Sequence, residues 1–149
     1  VHVSVQVSEL NDSERSWLEA HLQVARTFVE TYAVAPSVGP SRRSLTPETL
    51  DAAWNAWIPA AAAEPDMANT IVNATGAAFG QFLVDTAGFR WVVATDAYGT
   101  EMAVIALEGK SDVVVHPMNL VAKRYETKET GFIRPVLEGI RRQVQLRKV

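Results

Sequence analysis

Residues 88–107 read Gly88-Phe89-Arg90-Trp91-Val92-Val93-Ala94-Thr95-Asp96-Ala97-Tyr98-Gly99-Thr100-Glu101-Met102-Ala103-Val104-Ile105-Ala106-Leu107. Two runs rich in β-branched and aromatic residues flank Asp96-Ala97-Tyr98-Gly99, where Asp can bond its own backbone and Gly is free to take positive φ. This pattern predicts a β-hairpin with strands over residues 89–95 and 100–107. Glu108-Gly109-Lys110-Ser111 forms a second tight connection, and residues 112–116 a third short strand that Pro117 stops. Three strands joined by short turns make an antiparallel meander.

The chain upstream of the hairpin is helical. Asp66 is placed to cap a helix running toward Ala87, with Ile71, Ala74, Ala78, Phe82 and Leu83 facing inward and Gly88 where a left-handed C-terminal cap is wanted. Gly76 and Gly80 lie one turn apart on this helix, each costing about 1 kcal/mol relative to Ala, so close approach of another element is expected there. An earlier helix starts at Thr46 as N-cap with Pro47 in its first turn and Leu45 placed to staple Leu50. Leu50, Ala53, Trp54, Trp57 and Ile58 share one stripe, and Pro59 is expected to end or kink the helix. Asn11 with Glu14 fits a capping box that opens the first helix, whose stripe is Leu18, Leu22, Ala25, Val29 and Tyr32. Between these two helices, residues 33–45 carry Pro36, Gly39, Pro40 and Arg42-Arg43 without periodicity and read as a mobile loop. Residues 1–8 alternate four Val with polar residues, the pattern of a half-buried edge strand.

Downstream, residues 118–125 read as an irregular or helical turn. A last helix carries Ile133, Val136, Leu137, Ile140 and Val144 on one side, with Arg134, Arg141 and Lys148 on the other. The expectation is one α+β domain over residues 1–149: an antiparallel meander of three to four strands packed against about four helices.

Composition narrows the function classes. With 149 residues, 48% hydrophobic, the chain is long enough to bury a core unaided, and the absence of Cys removes thiol nucleophiles, thiolate metal sites and disulfides together. Arg90, Asp96, Glu101 and Glu108 interrupt the most apolar region, so no membrane span is expected; there is no leader pattern, and a cytoplasmic location is assumed. Residues 1–109 hold 5 basic and 13 acidic side chains, whereas residues 110–149 hold 9 and 4, a polarity hidden inside a net charge of −3.

Catalytic and cofactor motifs are missing. His2, His21 and His116 have no HExxH-type spacing, and there is no GxSxG, GxxxxGK[ST] or strand-following GxGxxG, so neither metal nor cofactor is expected. Asp96, Glu101 and His116 are the best acid–base set, although a turn, a solvated strand face and a strand-end imidazole are the favoured reading of them. Lys123-Arg124, Lys128 and Arg134 could meet phosphate, but no recognition helix or RNA-binding aromatic signature accompanies them, and nucleic acid is not the expected partner.

Gly80, then Gly88-Phe89-Arg90-Trp91-Val92-Val93, Asp96-Ala97-Tyr98-Gly99-Thr100-Glu101, His116-Pro117-Met118 and Val121-Ala122-Lys123-Arg124, together resemble the bacterial domain of unknown function 3806 family. The resemblance implies an α+β domain, commonly a small stand-alone bacterial protein, and carries no known activity. Missing catalytic motifs make a non-enzymatic protein-interaction module the leading expectation. Its surface would be Asp96, Tyr98, Glu101, His116, Lys123 and Arg124, meeting another protein or a second copy. The alternative is a pocket for a small apolar ligand between helices and sheet, lined by Trp54, Trp57, Phe79 and Trp91. A second alternative is an enzyme in which Asp96, Glu101 and His116 converge.

Overall fold

Local signals in the sequence account for most of the element ends. The computed structural model describes residues 5–33 and 44–148; the start of the N-terminal alternation (residues 1–4) and most of the expected loop (34–43) lie outside the described residues. The order is β1 Gln6–Ser8, α1 Asp12–Tyr32, α2 Pro47–Ala61, α3 Pro65–Ala87, β2 Arg90–Asp96, β3 Gly99–Ala106, β4 Val113–Val115, α4 Pro117–Glu126 and α5 Ile133–Arg147. At the start of α1 the Glu14 amide donates to Asn11 Oδ1 (2.8 Å) and the Asn11 amide to Glu14 Oε1 (2.7 Å), the reciprocal capping box. Thr46 and Thr49 do the same for α2, with Pro47 supplying a first residue that has no N–H to satisfy. Gly88 ends α3 at φ 76° and ψ 22°, the left-handed cap.

The strands form one antiparallel sheet in the order β1-β2-β3-β4. Gln6 pairs with Thr95, which makes the N-terminal segment a fourth, edge strand. Because side chains alternate along a strand, Trp91, Val93, Met102, Val104, Val113 and Val115 face the helices and join the main core. Val92, Ala94, Ala103 and Ile105 point the other way into a smaller apolar cluster flanked by Val5, Val7 and Val114.

α3 is the hub of the helical layer, touching α1, α2, α4, α5, β2 and β3. The sequence suggested a single inward face. Instead Ala68, Val72, Thr75, Ala77 and Phe79 are buried as well as Ile71, Ala74, Ala78, Phe82 and Leu83, so the helix is enclosed nearly all round. Its small residues make this enclosure feasible. A Cβ built on Gly76 would lie 2.5 Å from the Met118 Cα, and one on Gly80 would lie 2.5 Å from Cη2 of Trp91 and 2.9 Å from Cγ of Pro117. The close approach expected of these glycines is therefore made by α4 on one side and by the Trp91 indole on the other.

Three local expectations need correction. α3 begins at Pro65 after Glu64, with no side-chain cap, so Asp66 lies in the first turn, where its charge favours the positive end of the helix, and does not cap it. α2 passes through Pro59 and ends at Ala61; Pro so near the end disrupts only the last turn. Residues 118–125, read as an irregular or helical turn, belong to a ten-residue helix, α4 Pro117–Glu126, bringing the total to five helices among the described residues. Pro117 in its first turn and the packing of Met118 on Gly76 explain both its start and its position. No helix among the described residues is long and apolar enough to cross a membrane.

Candidate functional site

The β2–β3 hairpin carries the most exposed aromatic residue. Asp96 Oδ1 accepts the Tyr98 N–H at 2.8 Å, fixing the turn, and the Thr95 and Thr100 hydroxyls meet at 3.0 Å one residue pair below it. Gly99 sits at φ 142°, a value that suits glycine. Tyr98 thereby stands on a hydrogen-bonded turn and is 99% exposed.

Register puts Asp96, Glu101 and His116 on one face of the sheet. Ala94 pairs with Glu101, Asp96 with Gly99 and Val104 with Val115, so all three side chains fall on the side of Val92 and Ala103, away from the helices. His116 Nδ1 lies 3.3 Å from Glu101 Oε1 but makes no hydrogen bond of good geometry, so the contact is an ion pair when the imidazole is charged. Asp96 spends one carboxylate oxygen on the turn. The arrangement thus supplies an acid–base pair of Glu101 and His116, without a third group in hydrogen-bonding contact.

Lys123 and Arg124 belong to a different patch, the last turn of α4. Lys123 is exposed. Arg124 leans over the Phe132 ring (5.9 Å), and its Nε, buried and without a hydrogen bond, has Glu129 Oε2 at 3.9 Å. This side chain packs as much as it presents charge.

Of the four rings expected to line a pocket, three are core. Trp54 and Phe79 are completely buried and Trp57 is 1% exposed. Trp54 and Trp57 pack at 5.5 Å, with Phe132 and Tyr125 completing the aromatic stack. Trp91 stands apart from them, part-buried over Gly80, with its Nε1 donating to Gln81 Oε1 at 3.0 Å. A cavity between all four would require the core to part.

One face of α2 has a role that sequence reading missed. Asp51, Trp54 and Asn55 hold the chain that enters α5: Trp54 Nε1 donates to the Glu129 carbonyl (2.8 Å), Asn55 Oδ1 accepts from Gly131 N (2.9 Å), and the two Asp51 oxygens accept from Ile133 N and Arg134 N (3.1 Å each). Asp51 is in effect the cap of α5, supplied from another helix. Their spacing at i, i+3 and i+4 was visible in the sequence, but nothing local tied it to residues about 80 positions away.

Trp91 alone of the four lines a cleft, one of about 290 Å3 shared with Glu9, Leu10, Arg15, Leu18 and Arg90; further clefts lie away from all four rings. One of about 320 Å3 runs between the first turns of α1 and the sheet, lined by Asn11, Ser13, Glu14, Trp17 and Met102. The Trp17 ring stacks on His21 at 3.8 Å, and both Trp17 and Met102 remain partly exposed. The only hint in the sequence was a Trp one place off the inward stripe of α1. A second cleft, about 380 Å3, is lined by Leu22, Arg26, Leu45, Gln81, Phe82 and Asp85 among others. No cluster of His, Asp and Glu suited to a metal ion occurs among the described residues.

Residues 50–136, more than half of the chain, match the family model described as Domain of unknown function (DUF3806), and the chain belongs to that family. The match covers α2 to the start of α5, including the Gly76/Gly80 crossing and the hairpin. No curated protein and no solved structure matches the chain.

Proposed function

We propose that this member of the DUF3806 family is a non-enzymatic protein-interaction module, one domain that docks through the hairpin end of its sheet. The observation that carries the reading is Tyr98: a large amphipathic ring, 99% exposed, on a turn braced by the Asp96 hydrogen bond and the Thr95–Thr100 pair. Tyrosine is favoured at interfaces because it offers large contact area with little side-chain entropy to lose, and a pre-formed turn lowers the ordering cost further. Folding gives no reason for a tyrosine at this position, since at 99% exposure its side chain is not packed against the described residues.

The test is a comparison of the wild-type chain and Tyr98→Ser as immobilised baits, quantified by mass spectrometry. A specific partner should be retained by wild type and lost by Tyr98→Ser, while the two thermal midpoints agree. Partners retained equally by both baits would refute the hairpin as the docking element. The enzymatic reading rests on the 3.3 Å Glu101–His116 contact alone. It has less support, because Asp96 serves the turn and the clefts described above are lined by other residues.

A further inference from the structure

The hairpin end of the sheet carries an exposed ring beside charge of one sign. Asp96 pairs with Gly99 and Ala94 with Glu101, so the two carboxylates share the sheet face that looks away from the helices. They are diagonal neighbours on adjacent strands, about 7–8 Å apart. Asp96 Oδ1 accepts the Tyr98 N–H, which makes charge and ring parts of one turn. Glu101 is more than half exposed, and its one ion contact among the described residues is the His116 imidazole.

No Lys or Arg among the described residues pairs with either carboxylate. Residues 91–109 contain neither type. Arg90, just before that stretch, stands at the far end of β2, about 20 Å from the tip along the strand, where it is held by Glu108. The ion pairs of Arg15, Arg124, Arg134 and Arg141 are likewise made with other carboxylates. The charges of Asp96 and Glu101 are therefore left to solvent or to a partner.

Tyr98 narrows the choice of partner. At 99% exposure both faces of its ring are open. The face of an aromatic ring is negative and attracts an ammonium or a guanidinium. Arg suits the site best, because its plane stacks on a ring while its N–H groups fork onto a carboxylate. Ring and carboxylates thus select the same group. Phosphate is repelled by both carboxylates, which sets nucleic acid and anionic membranes aside as occupants. A wholly apolar partner would strip water from Asp96 and Glu101 and return no hydrogen bond.

We infer that the hairpin docks a basic protein segment, in which one Arg lies across the Tyr98 ring and a further Lys or Arg meets Asp96 and Glu101. The inference rests on the interaction reading above and names the chemistry of its partner. Opposite charge speeds the encounter and makes it sensitive to salt, while the ring supplies contact that salt does not screen.

A random peptide library displayed on phage and selected on the immobilised chain tests it. Enriched peptides should carry several Lys or Arg. The tightest of them, followed by fluorescence anisotropy, should lose affinity between about 0.01 M and about 1 M salt, as the screening length falls from about 30 Å to about 3 Å. Asp96→Asn combined with Glu101→Gln removes both charges, and Asn keeps an oxygen to accept the Tyr98 N–H. That double variant should bind the peptide about tenfold or more weakly at low salt and flatten the salt dependence. Tyr98→Ser should weaken binding at low and high salt alike, and circular dichroism melts confirm that all the variants fold. Enrichment of neutral or acidic peptides, no enrichment at all, or an uncharged double variant that binds as wild type does would each overturn the inference. Neutral peptides that bind wild type but not Tyr98→Ser would leave the interaction reading standing and remove only the cationic partner. Basic peptides that bind Tyr98→Ser as tightly as wild type would overturn both.

Discussion

Replacing Gly76, Gly80 and Gly139 one at a time by Ala separates close packing from helix propensity, because all three glycines are helical and differ in what a methyl group would meet. In a helix interior Ala is favoured over Gly by about 1 kcal/mol. At Gly139, on α5, nothing lies within 4 Å of the new Cβ, so Gly139→Ala should realise most of that gain. At Gly76 the Cβ would stand 2.5 Å from Cα and 2.9 Å from N of Met118, backbone atoms that cannot rotate aside; α4 must shift, and overpacking of this kind costs about 1–3 kcal/mol, sometimes more. After the propensity gain, the net for Gly76→Ala is a loss of up to about 2 kcal/mol. Gly80→Ala meets the Trp91 ring at 2.5 Å and the Pro117 ring at 2.9 Å, side-chain atoms with more room to give, so its net loss should be smaller. Since 1 kcal/mol moves the midpoint of a domain this size by about 2–4 °C, thermal unfolding followed by circular dichroism should rank the variants Gly139→Ala above wild type, then Gly80→Ala, then Gly76→Ala. A Gly76→Ala chain as stable as Gly139→Ala would refute the claim that α4 is packed onto α3 at this glycine.

Three further outcomes follow from particular contacts. Asp51→Ala removes both acceptors of the first-turn amides of α5 and should cost about 1–2 kcal/mol, with faster amide exchange at residues 133 and 134; unchanged exchange there would show that Asp51 does not cap α5. Thr75 is fully buried with a hydroxyl that finds no partner among the described residues, so Thr75→Val should stabilise the chain by about 1 kcal/mol in urea unfolding, and a loss would mean that the hydroxyl is satisfied in solution. Asn11→Ala breaks the capping box of α1 and should lower stability by about 1 kcal/mol, a cost that Asn11→Asp should largely avoid.

How much of this was legible in the sequence depended on the range of the interaction. Caps and turns are local, and Asn11–Glu14, Thr46–Pro47, Gly88 and the Asp96–Gly99 turn all stand where their residue types predict. The class, α+β with an antiparallel sheet, followed from them. α4 was under-read because its own pattern is weak; it is a helix whose position depends on Gly76, about 40 residues earlier, making room for Met118. The full enclosure of α3 was likewise invisible to a periodicity argument, since Ala and Gly mark no face until the neighbours that use them are known. At the candidate site, register alone brought Glu101 and His116 together, which required knowing how β3 pairs with β4. Lys123 and Arg124, adjacent in sequence to that strand end, separated from it because α4 carries them away. The Trp17–Met102 cleft joins side chains 85 residues apart, and no spacing rule connects them.

Amide hydrogen exchange on the chain, free and bound to the partner that wild type but not Tyr98→Ser captures, bears most directly on the hairpin end as the contact surface. Binding should slow exchange at residues 95–102, leaving α2 and the end of α4 as they were. Protection confined to α4 and α2, with the hairpin exchanging at its free rate, would contradict the account.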